Sequence, residues 1–156
     1  MDESDAAAFT VGLLHDIGKT RLSTVEPKIY QTLLTASGAH GARLVMGERL
    51  RFEVSHAEVG GSLLARWKLP PAVVASVMAH HQSPTCATRC ERLAATVQVG
   101  NLLALQIAAE TSLGEMLPHE QESLKLLHLA AEDLPALLEK TKSGLERVRD
   151  LLSIAS

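Results

Sequence analysis

The chain has 156 residues, a formal net charge of −3 and few aromatic residues, 3% of the total. This length fits one domain, and the slight negative charge gives no electrostatic attraction to nucleic acid or to an anionic membrane surface. No apolar stretch is long enough to cross a membrane, and 2 cysteines are too few for a disulfide framework, which favours a cytoplasmic protein.

Apolar periodicity and turn residues predict helices joined by short loops along the chain. Residues 5–17 form a nearly all-apolar helix in this interpretation, and residues 20–28 form a connector after it. Helices are then predicted over residues 27–37, 42–51, 55–68, 71–81, 91–110, 120–131 and 134–154. No segment alternates in the manner of a strand. The sequence therefore predicts a single all-α domain, a bundle of about seven helices over residues 1–156.

Two of these helices carry additional signals. Ser55 and Glu58 match a capping box, in which each side chain accepts a hydrogen bond from the main-chain amide of the other residue. The helix over residues 134–154 is amphipathic and is expected to dock on the core through one apolar stripe. The stripe consists of Leu134, Leu138, Leu145, Val148 and Leu152.

The most informative segment is His15-Asp16-Ile17-Gly18-Lys19, which ends the first apolar run. An adjacent imidazole and carboxylate are the smallest pair that places a nitrogen and an oxygen on one divalent metal ion. Gly18 is expected to stop the helix after the pair. Lys19 adds a positive charge where a phosphate group could sit. His15 and Asp16 are therefore candidate metal ligands, and Lys19 is a candidate phosphate-binding residue.

Three more histidines, His56, His80 and His81, lie at the start or the end of predicted helices. Helical bundles build metal sites from such residues when separate helices converge, so His56 and His80 or His81 are further candidate ligands. The alternative is that each is a polar cap or a hydrogen-bonded interior residue. In either case the helix that begins near His56 is expected to pack near the His15 end of the first helix, because the polar ends must meet. The remaining histidines, His40, His119 and His128, are assigned no role.

The residues and their order resemble a known family. The run from Gly12 to Lys19 looks like the signature of the HD superfamily of metal-dependent phosphohydrolases. The block Ser55-His56-Ala57-Glu58-Val59-Gly60, followed by Trp67-Lys68-Leu69-Pro70 and Ala79-His80-His81, resembles more closely the HDOD domain. That domain is a signalling relative of the HD-GYP phosphodiesterases of cyclic di-GMP. The resemblance runs over residues 8–104 and implies an HD-superfamily-like helical bundle.

The chain departs from the pattern of an active HD-superfamily enzyme. The resemblance implies an upstream histidine ligand, which would lie before this chain, and a late aspartate, where Asn101 stands. A neutral amide is a weaker ligand than a carboxylate and removes a negative charge. Gln82 follows the paired histidines where an acidic residue would be expected. The resemblance also implies a first lobe before the His15-Asp16 pair, so we expect this chain to be either a fragment or a shortened natural variant. The resemblance therefore implies a degenerate metal site.

Two hypotheses from different classes follow. The leading one is a non-catalytic regulatory or interaction module in bacterial-type signal transduction, with a signalling protein as partner and no cofactor. The alternative is a metal-dependent phosphohydrolase of phosphate esters or cyclic nucleotides, in which Asp16 and the candidate histidines bind Mn²⁺, Fe²⁺ or Mg²⁺ and Lys19 holds the phosphate. A third hypothesis is a pocket that binds a nucleotide without cleaving it. The sequence indicates no oligomeric state.

Overall fold

A computed structural model gives the fold of residues 3–38, 41–109 and 116–154. The helices are α1 (Glu3–Leu14), α2 (Ile17–Val25), α3 (Pro27–Ser37), α4 (Gly41–Phe52), α5 (His56–Arg66), α6 (Pro71–Ala79), α7 (Arg89–Ala109), α8 (Pro118–Leu126) and α9 (Leu134–Ile154), with a 3₁₀ helix (Ala131–Asp133) before α9. Those residue ranges contain no strand, so the predicted all-α fold is confirmed. Within them, no helix has both the length and the apolar character needed to cross a membrane.

The segment predicted as a connector is mostly helical. α2 begins directly after the His15-Asp16 pair, which therefore forms a two-residue corner between α1 and α2. The prediction that Gly18 stops a helix is wrong, because Gly18 lies buried in the first turn of α2. Its missing side chain lets α2 contact α5, since a Cβ atom on Gly18 would lie 2.0 Å from the carbonyl oxygen of His56.

The start of α5 is fixed by the predicted capping box. The main-chain N–H of Ser55 donates to the Glu58 carboxylate at 2.8 Å, and the main-chain N–H of Glu58 donates to the Ser55 hydroxyl oxygen at 3.4 Å. These bonds satisfy amides that a helix start leaves without an intrahelical partner. α5 then packs against α2 and α6. Its first residue, His56, is thereby held against the corner between α1 and α2.

The helices pack around two apolar clusters. The first cluster joins α1, α5, α6 and α7 through Val11, Leu64, Val73, Val77 and Val97. The second cluster joins a later part of α7 to α8 and α9 through Val99, Leu103, Leu124 and Leu134. α7 contributes to both. Val11 and Val77 in the first cluster each lie about one helical turn before a candidate histidine, so this cluster anchors the helix ends that carry the site.

α9 docks through its first half. Leu134 is 1% exposed and Leu138 packs against the second cluster, as predicted. Leu145 and Val148 are each 53% exposed, so the prediction that they dock is wrong. The side chain of Leu152 lies outside the described part of the chain. Apolar periodicity predicted the helix and its inward face, but it carries no information on how far the core extends along that face.

Candidate metal centre

The corner between α1 and α2, the start of α5 and the end of α6 meet at one point. Four side chains from these segments, Asp16, His56, His80 and His81, offer one ligand atom each, and these atoms all lie within 4.8 Å of one another. The carboxylate oxygen Oδ1 of Asp16 is 3.3 Å from Nε2 of His56. The predicted packing of α5 near the His15 end of α1 is therefore confirmed. The structure brings together three of the predicted ligands, Asp16, His56 and His80. The sequence left open whether His80 or His81 would bind, and both belong to the group.

Hydrogen bonds outside the cluster fix the tautomers of two histidines. Nδ1 of His80 donates to the carbonyl oxygen of Val77 at 2.6 Å, and Nδ1 of His56 donates to the Glu48 carboxylate at 2.7 Å. A neutral imidazole that donates through Nδ1 carries a lone pair on Nε2. Both Nε2 atoms face the centre of the cluster, so the tautomers that the outer bonds select are the ones that can bind a metal ion.

Two buried polar atoms in the cluster lack a hydrogen-bond partner within the described residues, Oδ1 of Asp16 and Nε2 of His80. These atoms lie 3.7 Å apart. Lone pairs on both atoms face each other, and a buried polar atom without a partner costs about 1–3 kcal/mol. A cation between them would remove the repulsion and satisfy both atoms. The donor set, three imidazole nitrogens and one carboxylate oxygen, therefore fits a divalent metal ion.

The protonation states agree with a centre that holds a positive charge. Burial lowers the pKa of His80, and burial together with the nearby His80 and His56 lowers the pKa of His81 to about 2, so both His80 and His81 are neutral. Burial raises the pKa of Asp16, but the proximity of His15, His56 and His80 outweighs it and holds that pKa well below its usual range. Burial lowers the pKa of His56, yet Asp16 and Glu48 outweigh it and raise the pKa. A proton or a metal ion at His56 can thus supply the charge that Asp16 requires.

His15 lies beside the four-residue group. Its Nδ1 donates to the carbonyl oxygen of Gly12 at 2.7 Å, and its Nε2 lies 3.4 Å from Oδ2 of Asp16. The side-chain amide of Asn101 donates to the same Nε2 at 3.2 Å. The lone pair that His15 would offer to a metal ion is therefore taken by an N–H donor. The position that the resemblance assigned to a late aspartate does lie at the site, as a neutral partner of His15.

Lys19 lies on the open side of the cluster, in the first turn of α2. Its ammonium group pairs with Oδ2 of Asp16 at 2.7 Å. Lys19, His81, Asn101 and His119 are among the residues that line a groove over the cluster. His119, which was assigned no role, reaches this groove because it lies in the first turn of α8. The phosphate-binding role of Lys19 stays a prediction.

Glu48 and Tyr30 complete the site on its buried side, and neither was predicted. Glu48 is fully buried in α4, and it accepts hydrogen bonds from the Tyr30 hydroxyl at 2.7 Å and from the main-chain N–H of His56 at 2.8 Å. Burial raises the pKa of Glu48, but the bonds from His56 and Tyr30 outweigh it and hold the pKa below its usual value. The available signal is that Glu48 follows the buried Leu44 by four residues on α4, and a carboxylate on a buried face requires a partner.

Among the described residues, Cys86, Cys90, His119 and His128 are not part of the four-residue group. Cys86 and Cys90 are free thiols. His128 lies beyond the end of α8, and His40 lies outside the described residues.

Comparison with known proteins gives two matches. Residues 1–83, just over half of the 156-residue chain, match the HDOD domain. An uncharacterized protein of Treponema pallidum (strain Nichols) is 27% identical over 122 residues, which cover 78% of this chain and 23% of the relative. The chain thus spans less than a quarter of the length of that curated relative. No solved structure matches the chain significantly.

Proposed function

The chain belongs to the HDOD domain family, and on that premise we propose that it is a non-catalytic regulatory module of signal transduction that holds one divalent cation. Asp16, His56, His80 and His81 would bind the ion. The observation that carries the proposal is the pair of buried atoms without a hydrogen-bond partner in the described residues, Oδ1 of Asp16 and Nε2 of His80. The proposal adds a cofactor to the module that the sequence led us to expect.

The donor set supports some ions over others. Imidazole nitrogens suit zinc and iron, whereas Mg²⁺ prefers an octahedral shell of oxygens. The cluster therefore favours Zn²⁺ or Fe²⁺ over the Mg²⁺ that the resemblance also allowed. A bound ion of this kind supplies a Lewis acid wherever it keeps an open coordination position. Four protein donors would leave such an ion without an open coordination position, as in structural zinc sites, and this supports a regulatory role over hydrolysis.

The surroundings of Asp16 support a single ion. Two-metal hydrolases hold their ions about 3.5–4 Å apart. On the Oδ2 side of Asp16, the Lys19 ammonium group lies at 2.7 Å. The Asn101 amide donates to Nε2 of His15 on the same side. Both groups present positive charge or partial positive charge, which disfavours a second cation. A module without turnover would pass on its state through contact with a partner protein.

Metal content tests the binding part of the proposal. The purified chain would be stripped with a chelator, loaded with Zn²⁺ or Fe²⁺, and analysed by inductively coupled plasma mass spectrometry. We expect one ion per chain in the unaltered protein and in the His119→Ala variant, a histidine at the groove outside the donor group. His80→Ala should lose the ion. Absence of the ion from the unaltered protein, or full retention by His80→Ala, would contradict the proposal.

A metal-dependent phosphohydrolase is the second candidate function. The groove beside Lys19 supports it, because a phosphate group placed there would reach a cation bound by the four-residue group. We expect no turnover of cyclic di-GMP or simple phosphate esters with added Mn²⁺, Fe²⁺ or Mg²⁺. If the unaltered chain hydrolyses one of these substrates and Asp16→Ala abolishes the activity, the phosphohydrolase hypothesis would replace the regulatory one. A rise in melting temperature with a nucleotide, without turnover, would instead support a nucleotide-sensing pocket.

A further inference from the structure

We infer that Glu48 is a positioning residue for the metal centre and that it couples occupation of the centre to the pair of helices α3 and α4. The inference rests on the proposed function, since it concerns the ligand His56 of the same centre.

One buried carboxylate joins three helices at this point. Oε1 of Glu48, on α4, accepts from the hydroxyl of Tyr30 on α3, while Oε2 accepts from both the main-chain N–H and Nδ1 of His56 on α5. Glu48 and His56 are fully buried and Tyr30 is 1% exposed. Because water is excluded, these bonds have no ready substitute. Glu48 therefore ties the position of His56 directly to both α3 and α4.

The bonds to His56 have a consequence for metal binding. A carboxylate that accepts from Nδ1 holds the imidazole in the tautomer with a lone pair on Nε2, fixes the ring orientation and raises the basicity of the ligand atom. The bond to the main-chain N–H of His56 also places a negative charge at the N-terminus of α5, where the helix dipole favours it. Glu48 thus determines both the direction and the strength with which His56 presents Nε2 to the cluster.

The bond to Tyr30 extends the effect to α3. Relative to the neutral ring, a cation on Nε2 of His56 withdraws electron density, so Nδ1–H becomes a stronger donor to Glu48. The carboxylate then accepts less strongly at its other oxygen, and the bond from the Tyr30 hydroxyl weakens. Binding of a metal ion at the centre therefore changes the strength of the Tyr30–Glu48 hydrogen bond between α3 and α4. The chain contains 1 tyrosine, so the tyrosine component of its near-ultraviolet absorbance comes from Tyr30.

The first test measures affinity. Glu48→Gln keeps the shape of the side chain and removes its charge, and we expect the dissociation constant for Zn²⁺, measured by competition with a chromophoric chelator, to rise about 10–100-fold. The control is Leu134→Ala, which removes a buried side chain from the second cluster and should lower the melting temperature without changing this constant. Unchanged Zn²⁺ affinity in folded Glu48→Gln would overturn the positioning role.

The second test does not depend on whether Glu48→Gln folds. Zn²⁺ is titrated into the unaltered protein and into Tyr30→Phe. The spectrum of the variant, which keeps Trp67, is subtracted to leave the absorbance of Tyr30. We expect a saturable shift to shorter wavelength, complete at one ion per chain and absent from His80→Ala. A protein that binds the ion by mass spectrometry with no change at Tyr30 would refute the coupling alone. A protein that binds no ion would refute the proposed function, and the coupling with it.

Discussion

The side-chain amide of Asn101 donates a hydrogen bond to Nε2 of His15 across 3.2 Å, and this bond links α7 to the corner between α1 and α2. A carboxylate at the same position would present a second anion next to Asp16. The amide instead satisfies the histidine without adding charge. This side of the centre is therefore stable without a cation of its own.

Asn101→Asp should make the stability of the domain more dependent on a divalent cation. Two unit charges about 4 Å apart near a protein surface repel by up to about 4 kcal/mol, and a bound ion relieves this repulsion. We expect a lower melting temperature without metal and a larger rise on adding Zn²⁺ or Mn²⁺ than in the unaltered protein. Asn101→Leu, which removes the same hydrogen bond without adding charge, should show no larger rise than the unaltered protein. Equal responses of the two variants would contradict the electrostatic explanation.

Gly18→Ala should destabilise the domain and weaken the metal centre. The added Cβ atom would lie 2.0 Å from the carbonyl oxygen of His56 and 2.8 Å from the main-chain nitrogen of Gly60, and main-chain atoms cannot move aside as a flexible side chain can. We expect a loss of about 1–3 kcal/mol or more in urea unfolding. Gly12→Ala is the matched control, since a Cβ atom there meets nothing within 4 Å. It should gain about 0.5–1 kcal/mol from helix propensity, and similar effects of both changes would show that α2 and α5 do not touch at Gly18.

Leu134→Ala and Leu145→Ala should separate the two halves of α9. Leu134 is 1% exposed in the second cluster, whereas Leu145 is 53% exposed. Truncation of a buried leucine costs about 2–5 kcal/mol, while an exposed one changes stability by about 0.5 kcal/mol or less. Denaturant unfolding measures both. A large loss in Leu145→Ala would mean that the second half of α9 is covered in solution, for example by a second copy of the chain.

Acid should weaken the hydrogen bonds that hold the loop before α7, because it protonates Glu91. Its carboxylate accepts from the main-chain N–H of Cys86 at 2.8 Å and of Thr85 at 3.1 Å. Hydrogen bonds from these residues lower the pKa of Glu91 from its ordinary value of 4.5 to about 2. Because the pKa falls on folding, the stabilisation is complete above about 4.5 and is lost as the pH drops towards about 2. Hydrogen exchange of the Thr85 and Cys86 amides, corrected for intrinsic rates, should lose protection over this range.

Glu91→Gln is the control for that experiment. Its amide does not titrate, so the protection of the two loop amides should no longer change between these pH values. The same pH dependence in both proteins would assign the effect to another group.

The parts of the fold that sequence predicted correctly are those set by local chemistry. The capping box of Ser55 and Glu58 involves residues three apart, so its bonds follow from the chain alone. Leu134 was placed in the core because helical periodicity defines a face. The sequence did not predict α2 because its residues Gly18, Thr20 and Ser23 are poor helix formers. This helix depends instead on its contact with α5 at Gly18.

The candidate site divides in the same way. Asp16 and the histidines could be proposed as ligands because their residue types and their places at helix ends are visible in the sequence. The role of Glu48 could not be predicted, because its partner His56 is on the next helix and its partner Tyr30 is on the preceding one. Which of His15 and His81 joins the group also depends on three-dimensional packing. Only the structure shows that Asn101 engages His15.

α7 contributes to both apolar clusters, and this division has a consequence for how the domain opens. The four candidate ligands lie between residues 16 and 81, all before α7, while the second cluster is formed with α8 and α9. Cooperative units of this kind unfold in separate steps when they share few buried contacts. We expect the α8–α9 half to exchange its amide hydrogens through openings that leave the ligands in place. Mutations could therefore accumulate in that half during evolution while the geometry of the centre is retained.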